Sequence, residues 1–232
     1  MKTPKRILIM SFALCCMTGG AHARPECGNL NEGYGPFDYR TQRNELKIVE
    51  GVHFLPFIEN LIRGKTSVSP GGDIDYTLRA SPNHHRALLA MMRLAEKEKR
   101  DRPFGSRYTI DCWLDRAERF APNDAMVKTL YGTFLLEKGR NEEGVKKLEE
   151  ALGLAGDSAN VHYNLGLAYF DLKDYDRALA SAHKAYRLGF PLPGLRNKLE
   201  RAGKWAEPTG AGPEGNAARK PEAVPDGGSP KE

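Results

Sequence analysis

The sequence lacks the features that mark a membrane-embedded or nucleic-acid-binding protein. Its longest apolar run, "ILIMSFALCCM" at 7–17, is shorter than the ~20 residues of a membrane span, and no later stretch approaches that length. Lys and Arg are dispersed among Asp and Glu and form no basic stripe. These absences exclude a transporter with several spans and argue against a nucleic-acid partner.

Recognisable catalytic motifs are also missing. The segment "RGKTS" at 63–67 resembles the end of a phosphate-binding loop. That motif needs a glycine five residues before Gly64, where this chain has Glu59. Ser, His, Asp and Cys residues form no known nucleophile pattern. We therefore predict a protein that is not an enzyme and needs no cofactor.

Residues 1–23 have the pattern of a secretory signal peptide. Three positive charges precede the apolar run, and "AHA" at 21–23 is a small-x-small cleavage site. We expect cleavage after Ala23, which would lower the formal net charge from +5 to +2. The mature chain, with no membrane span, would then be periplasmic or secreted.

A lipoprotein is the less favoured alternative. Acylation would use Cys15 or Cys16, which lie within the apolar run. Leu14 and Cys15 precede them, however, where a lipobox has Gly or Ala.

Two cysteines, Cys27 and Cys112, follow the signal segment. In an oxidising compartment such a pair usually forms a disulfide. On the chain-entropy estimate this bridge would contribute roughly 4–5 kcal/mol. Two unrelated buried thiols are the alternative. We favour the bridge because Cys112 lies on a predicted helix and Cys27 on a segment that needs an anchor.

A repeat of 34 residues relates two stretches of the chain. "SANVHYNLGLAYFDLKDYDRALASAHKAYRLGF" at 158–190 aligns with "DAMVKTLYGTFLLEKGRNEEGVKKLEEALGLAG" at 124–156. Small residues recur at fixed places, since Gly166 matches Gly132 and Ala178 matches Gly144. This pattern resembles the tetratricopeptide repeat (TPR) family. A glycine inside a helix costs about 1 kcal/mol, and the resemblance implies that these small residues face each other where two helices cross.

The resemblance implies an all-α fold, a TPR solenoid of helical hairpins (an α–α superhelix). We place full repeats at 124–157 and 158–190, and a TPR-like repeat with a lengthened turn at 83–123, with helices at 83–98 and 108–121. A degenerate TPR-like unit at 43–82 would hold a long helix at 43–63 and a short one at 73–80.

Three further segments flank the repeats. We predict an N-terminal arm at 24–42, a C-terminal capping helix at 191–205 and a disordered tail at 206–232. The whole chain also resembles small exported TPR proteins of Gram-negative bacteria. The segments that carry this resemblance are "CGNLNEGYGPFDYR", "GGDIDYTLRASPNHHRAL" and "PLPGLRNKL".

TPR proteins hold a partner segment in a concave groove lined mainly by first helices, so the resemblance implies a non-catalytic adaptor. We expect a protein or peptide partner in the envelope, in envelope or secretion-complex assembly. Asn164 would bind the peptide backbone, unless it only belongs to the structural "YNLG" pattern. The other expected contacts are the aromatic anchors Tyr163 and Phe170, Asn160, Leu167, and Arg86 and Arg93 for an acidic group. In the preceding repeat the corresponding positions include Met126, Leu130 and Glu137.

The alternative hypothesis is a regulatory or enzymatic subunit with a His-containing metal site in the N-terminal unit. Its ligands would be His53 together with His84 or His85. Adjacent histidines on a helix point about 100° apart and cannot chelate one metal as an i, i+4 pair does. We therefore favour capping and packing for these side chains, and we predict no metal ligand.

Overall fold

The computed structural model describes residues 27–208, and all the regular secondary structure in that range is helical. The all-α fold predicted from the sequence is confirmed. The predicted signal peptide with Ala23, the first residues of the arm and most of the predicted tail lie outside the described residues. The helices are α1 (Arg43–His53), α2 (Pro56–Glu59), α3 (Pro70–Ala80), α4 (His85–Glu98), α5 (Ile110–Phe120), α6 (Ala125–Glu137), α7 (Asn141–Ala155), α8 (Ala159–Asp171), α9 (Tyr175–Arg187) and α10 (Gly194–Arg201).

The helices pair along the chain and stack in sequence order. Helix α4 contacts α5, α6 contacts α7, and α8 contacts α9, which makes three hairpins. The first helices also contact one another, because α6 touches both α4 and α8, and α10 touches α8. One layer of the molecule therefore consists of first helices, followed by α10.

The closest helix crossing lies between Gly132 in α6 and Gly144 in α7. A Cβ atom built on Gly132 would lie 3.0 Å from the carbonyl oxygen of Gly144 and 2.7 Å from Cγ of Leu148. A Cβ on Gly144 would in turn lie 3.0 Å from the carbonyl oxygen of Gly132. Only glycine at both positions permits this approach, so each offsets its unfavourable helix propensity by the packing it allows.

Gly166 has a different closest neighbour from the one expected. A Cβ on Gly166 would lie 3.4 Å from the carbonyl oxygen of Ala178, which is an ordinary contact. The same atom would collide with Cδ2 of Leu195 in α10. The glycine of the last repeat therefore mainly makes room for the C-terminal helix.

The predicted long helix at 43–63 is wrong. Helix α1 ends at His53, and the short helix α2 begins at Pro56. The residue before a proline is disfavoured in helical conformation, and Leu55 accordingly adopts an extended backbone. Helix α3 begins at Pro70, earlier than the expected residue 73, because Ser69 accepts a hydrogen bond from the N–H of Gly71.

Two buried apolar clusters stabilise the stack. The first joins α2 to α6 around Trp113, and the second joins α7 to α10 around Leu148. Leu195 and Leu199 of α10 are both fully buried in the second cluster. Helix α10 thus covers the apolar face of the last hairpin.

Residues 27–42 pack against the helices through arginines and a disulfide. Cys27 is bonded to Cys112 at the start of α5, with the two Cα atoms 4.9 Å apart. The Arg116 side chain is fully buried between the arm and the helices. Three arginines donate hydrogen bonds to carbonyl oxygens of the arm: Arg116 to Cys27 and Asn29 (both 2.7 Å), Arg119 to Gly28 (3.2 Å) and Arg79 to Glu32 (3.1 Å).

No helix within residues 27–208 combines the length and the apolar character that a bilayer span demands.

Candidate partner-binding surface

The surface formed by exposed side chains of α4, α6 and α8 is here called the first-helix surface. Equivalent positions of the 34-residue repeat recur on this surface. Met126 in α6 corresponds to Asn160 in α8, and Leu130 corresponds to Asn164. Arg93 in α4 lies on the same layer, because α4 contacts α6 directly. Met126 exposes 48% of its surface, unusually much for a methionine on a packed helix.

Asn164 and Asn160 form a pair of amides on α8. The Nδ2 atom of Asn164 donates to Oδ1 of Asn160 at 3.1 Å, one helical turn away. The pair keeps Oδ1 of Asn164 and Nδ2 of Asn160 available, since neither atom bonds another described residue. An amide donor and an amide acceptor side by side match the N–H and C=O groups of an extended peptide.

The predicted aromatic anchors contact the C-terminal segment. Tyr163 stacks on Phe190, with the ring centroids 4.0 Å apart and the planes inclined by 21°. The Lys198 ammonium lies 5.1 Å from the centroid of the Phe170 ring. Leu167 is half-buried against the second core cluster. Tyr163 and Phe170 thus contact α10 and the segment before it, a role that sequence analysis did not anticipate.

The two predicted arginines differ in their surroundings. Arg86 donates two hydrogen bonds to the Glu59 carboxylate, one of them from Nε to Oε1 at 2.8 Å, and the bond raises the pKa of the guanidinium. Arg93 is exposed, and its guanidinium makes no ion pair with any residue in 27–208. Arg93, and not Arg86, is therefore free to bind an acidic group.

A cleft of about 540 Å³ lies at the C-terminal ends of α4 and α6. Its rim carries Glu96 and Glu137. Burial, together with the nearby Glu96 carboxylate, raises the pKa of Glu137. Sequence analysis did not predict this cleft, because one of its walls is the loop between α4 and α5, which lies outside the repeat pattern. Of its lining residues, only Glu137 occupies a predicted groove-facing position. The apolar lining consists of Met92, Ala95, Ile110 and Phe134.

The histidines of the N-terminal unit do not converge on one point. Each of the three bonds a different carboxylate: His53 to Asp73 (2.9 Å), His84 to Glu50 (2.9 Å) and His85 to Asp124 (2.8 Å). Among the described residues, no three His, Cys, Asp or Glu side chains lie together as a metal site would require. The hypothesised histidine site therefore has no counterpart in residues 27–208.

The "RGKTS" loop surrounds an anion that belongs to the chain itself. The backbone N–H groups of Lys65 and Thr66 donate to the fully buried carboxylate of Asp73, at 2.8 and 3.2 Å. Burial opposes ionisation of Asp73, but these bonds and those from the Thr66 hydroxyl and His53 outweigh it and lower its pKa. The loop thus serves α3 and does not form a phosphate site.

Comparison with known proteins places two repeat matches on the last two hairpins. The family described as "TPR repeat" matches residues 132–173, and the one described as "Tetratricopeptide repeat" matches residues 159–189. The curated protein "Probable UDP-N-acetylglucosamine--peptide N-acetylglucosaminyltransferase SPINDLY" of Oryza sativa subsp. japonica is 41% identical over 61 residues. That match covers 26% of this chain but only 7% of the rice protein.

Solved structures of MamA are similar to slightly more than half of this chain, at low identity and low TM-score. MamA AMB-1 is 19% identical with a TM-score of 0.41, over 53% of this chain and 64% of the MamA chain. MamA MSR-1 is 17% identical with a TM-score of 0.39, over 57% and 67% of the two chains. A MamA mutant gives 19% identity and a TM-score of 0.40, over 51% of this chain and 66% of the mutant chain.

The two repeat matches cover the hairpins in which small residues allow the two helices to approach each other closely. Residues 132–189 span the Gly132–Gly144 crossing and the equivalent positions in α8 and α9. The structure in this range consists of two consecutive helical hairpins. Residues 132–189 are therefore tetratricopeptide repeats.

Proposed function

We propose that this protein is a non-catalytic adaptor that binds a protein partner on the first-helix surface. Its TPR repeats form an interaction scaffold, and stacked helical repeats present extended concave binding surfaces. The observation that carries the proposal is the row of unengaged groups on adjacent helices. Arg93 has no ionic partner among the described residues, Met126 is half exposed, and the Asn160–Asn164 pair keeps a free donor and acceptor.

These groups suit an extended, acidic segment. The amides of Asn160 and Asn164 would bind its backbone, and Met126 would contact an apolar side chain, since methionine adapts to varied shapes. Arg93 would pair with a carboxylate of the same segment.

The proposal includes export to the periplasm and action in an envelope or secretion complex. The apolar run with its "AHA" site and the pairing of Cys27 with Cys112 support export, because disulfides persist in oxidising compartments. Mass spectrometry of the mature N-terminus would give Arg24 as the first residue. An acylated Cys15 or Cys16 would show a lipoprotein instead.

Partner recovery after cross-linking in living cells tests the binding surface. We expect Arg93→Ala, Met126→Ala and Asn164→Ala together to lower recovery at least tenfold, because the loss of three contacts removes the centre of the surface. The matched control replaces three exposed side chains elsewhere, Lys146→Ala, Lys173→Ala and Arg187→Ala. Equal recovery for the two triple variants would exclude the first-helix surface.

A further inference from the structure

Two loops outside the first-helix surface flank the first turn of α3, and they are here called the paired loops. One is residues 60–69 between α2 and α3, and the other is residues 99–109 between α4 and α5. The second loop packs on the turn of α3 that directly follows the first loop: a Cβ on Gly105 would lie 2.7 Å from the amide nitrogen of Gly72, and a Cβ on Gly71 would collide with the carbonyl oxygen of Phe104. The Nζ atom of Lys97, near the end of α4, donates to the carbonyl oxygen of Leu61 in the first loop at 3.1 Å, which links the first loop to the helix that precedes the second.

The paired loops expose three large apolar side chains. Val68 exposes 95% of its surface, Ile62 71% and Phe104 57%. Val68 and Ile62 are the most exposed of the large apolar side chains in the described range. A side chain this exposed lies on a projecting tip and not in a groove. Val68 and Phe104 lie on segments that meet at Gly71, and contiguous exposed apolar residues mark interaction sites.

Unpaired positive charge accompanies these tips. Lys99, Arg100 and Arg102 are exposed and make no ion pair with any residue of the described range. The acidic residues at this point of the chain, Glu98 at the end of α4 and Asp101 in the second loop, already have partners. Glu98 accepts the N–H of Phe104 at 2.8 Å, and Asp101 pairs with Lys138 at 2.6 Å. Arg63 and Lys65 add further positive charge to the paired loops, whereas Arg107 pairs with Asp75 at 3.6 Å.

Apolar tips among basic side chains match the chemistry of an anionic bilayer surface. Apolar side chains enter the boundary between headgroups and acyl chains, while Lys and Arg pair with lipid phosphates. A fluid bilayer accepts projecting side chains without a complementary groove, whereas a protein interface requires packing close to that of a protein interior. A second copy fits less well, because a two-fold contact would bring the same positive charges together.

We propose that the paired loops bind the surface of an anionic phospholipid bilayer, with Val68 and Phe104 inserted among the headgroups. Arg100, Arg102 and Lys99 would contact the lipid phosphates. The first-helix surface on α4, α6 and α8 would then remain accessible to the protein partner. The proposal is independent of the adaptor function, because it rests on different residues.

Sedimentation of residues 24–232 with lipid vesicles tests the proposal. One set of vesicles contains phosphatidylglycerol and phosphatidylethanolamine, and the other phosphatidylcholine alone. We expect binding to the first set only, and weaker binding as salt is raised. Arg100→Gln with Arg102→Gln should weaken binding about fivefold per charge. Val68→Ser with Phe104→Ser should weaken it while retaining the salt dependence.

Matched controls separate the paired loops from the rest of the surface. Lys146→Gln with Arg187→Gln removes two exposed charges elsewhere, and Leu154→Ser with Leu192→Ser removes two exposed apolar side chains. Both controls should bind like the unchanged protein. Helical circular dichroism should be the same for all variants, because every altered side chain is exposed.

A tryptophan at residue 104 reports insertion directly. In Phe104→Trp, addition of phosphatidylglycerol vesicles should shift the emission to shorter wavelength more than in the unchanged protein. Failure to bind these vesicles, or equal binding by the loop variants and their controls, would overturn the proposal. Loss of a protein partner by the loop variants, without any vesicle binding, would assign the paired loops to a protein interface.

Discussion

The imidazole of His84 donates from Nε2 to Oε1 of Glu50, 2.9 Å away, while its Nδ1 accepts the N–H of Ala87 at 3.1 Å. The second bond caps the N-terminus of α4 and requires an unprotonated Nδ1. His84 is fully buried, with its ring against Tyr39. Burial lowers the pKa of His84, and the bond and charge of Glu50 only partly oppose this. The capping imidazole is therefore neutral at pH 7.

This arrangement predicts that the protein loses stability in mild acid. Below pH 6.5 the unfolded chain binds a proton at His84 that the folded chain does not, so the free energy of unfolding falls as pH decreases. The slope from this group can reach about 1.4 kcal/mol per pH unit. Urea unfolding at pH 7.5, 6.5 and 5.5 measures how the free energy of unfolding depends on pH.

The matched variant is His84→Asn, which keeps a capping side chain but does not titrate in this range. The unfolding energy of the variant should depend less on pH between 6.5 and 5.5 than that of the unchanged protein. The same slope in both proteins would show that His84 is not the titrating group. Glu50 and Arg43 are the other charged groups that act on this imidazole.

Two glycine substitutions should change stability in opposite directions. Gly132→Ala should lower the free energy of unfolding by about 1–2 kcal/mol, because its Cβ meets Leu148 and the Gly144 backbone. Gly153→Ala in α7 meets no atom within 4 Å and should raise it by up to about 1 kcal/mol. Thermal or urea denaturation measures both. Stabilisation by Gly132→Ala would contradict the close crossing.

The disulfide should stabilise the arm and the repeats together. Replacing Cys27 and Cys112 by Ser should lower the free energy of unfolding by about 2–4 kcal/mol, because the bond closes a loop with a sequence separation of 85. A reducing agent should destabilise the unchanged protein but not this variant. Two alkylatable thiols in the non-reduced exported protein would show that the bond does not form.

The buried guanidinium of Arg116 should hold residues 27–32 in place. Arg116→Met leaves the carbonyl oxygens of Cys27 and Asn29 without a donor and the Glu32 carboxylate without its ion-pair partner, and should cost about 3–5 kcal/mol. Limited proteolysis should then cut the arm faster than the helices. The control Arg187→Met removes an exposed arginine and should change stability by less than about 0.5 kcal/mol. Equal cleavage in both variants would exclude this role.

Features that depend on local spacing could be predicted from the sequence. The 34-residue recurrence of small residues resembles the tetratricopeptide repeat, and that resemblance implies both the all-α fold and the crossing of Gly132 with Gly144. The break before Pro56 was missed. The apolar periodicity around 43–63 continues through it, although the proline alone was sufficient to predict it.

Features that depend on long-range contacts could not be predicted. Nothing near Gly166 in the sequence indicates that Leu195 fills the space above it, or that Phe190 covers Tyr163. The burial of Arg116 is equally hidden, since an arginine on an amphipathic helix normally faces solvent. We therefore propose a partner site centred on Arg93, Met126 and the asparagine pair and not on the predicted aromatic side chains.

Site-specific photo-cross-linking tests the central claim most directly, because it reports which surface a protein partner touches. A photoreactive residue replaces Met126 on the first-helix surface in one variant and Lys146 on α7 in the other, and both are illuminated in living cells. The account predicts a discrete protein adduct from position 126 and none from position 146. Adducts from position 146 alone, or equal adducts from both, would contradict it.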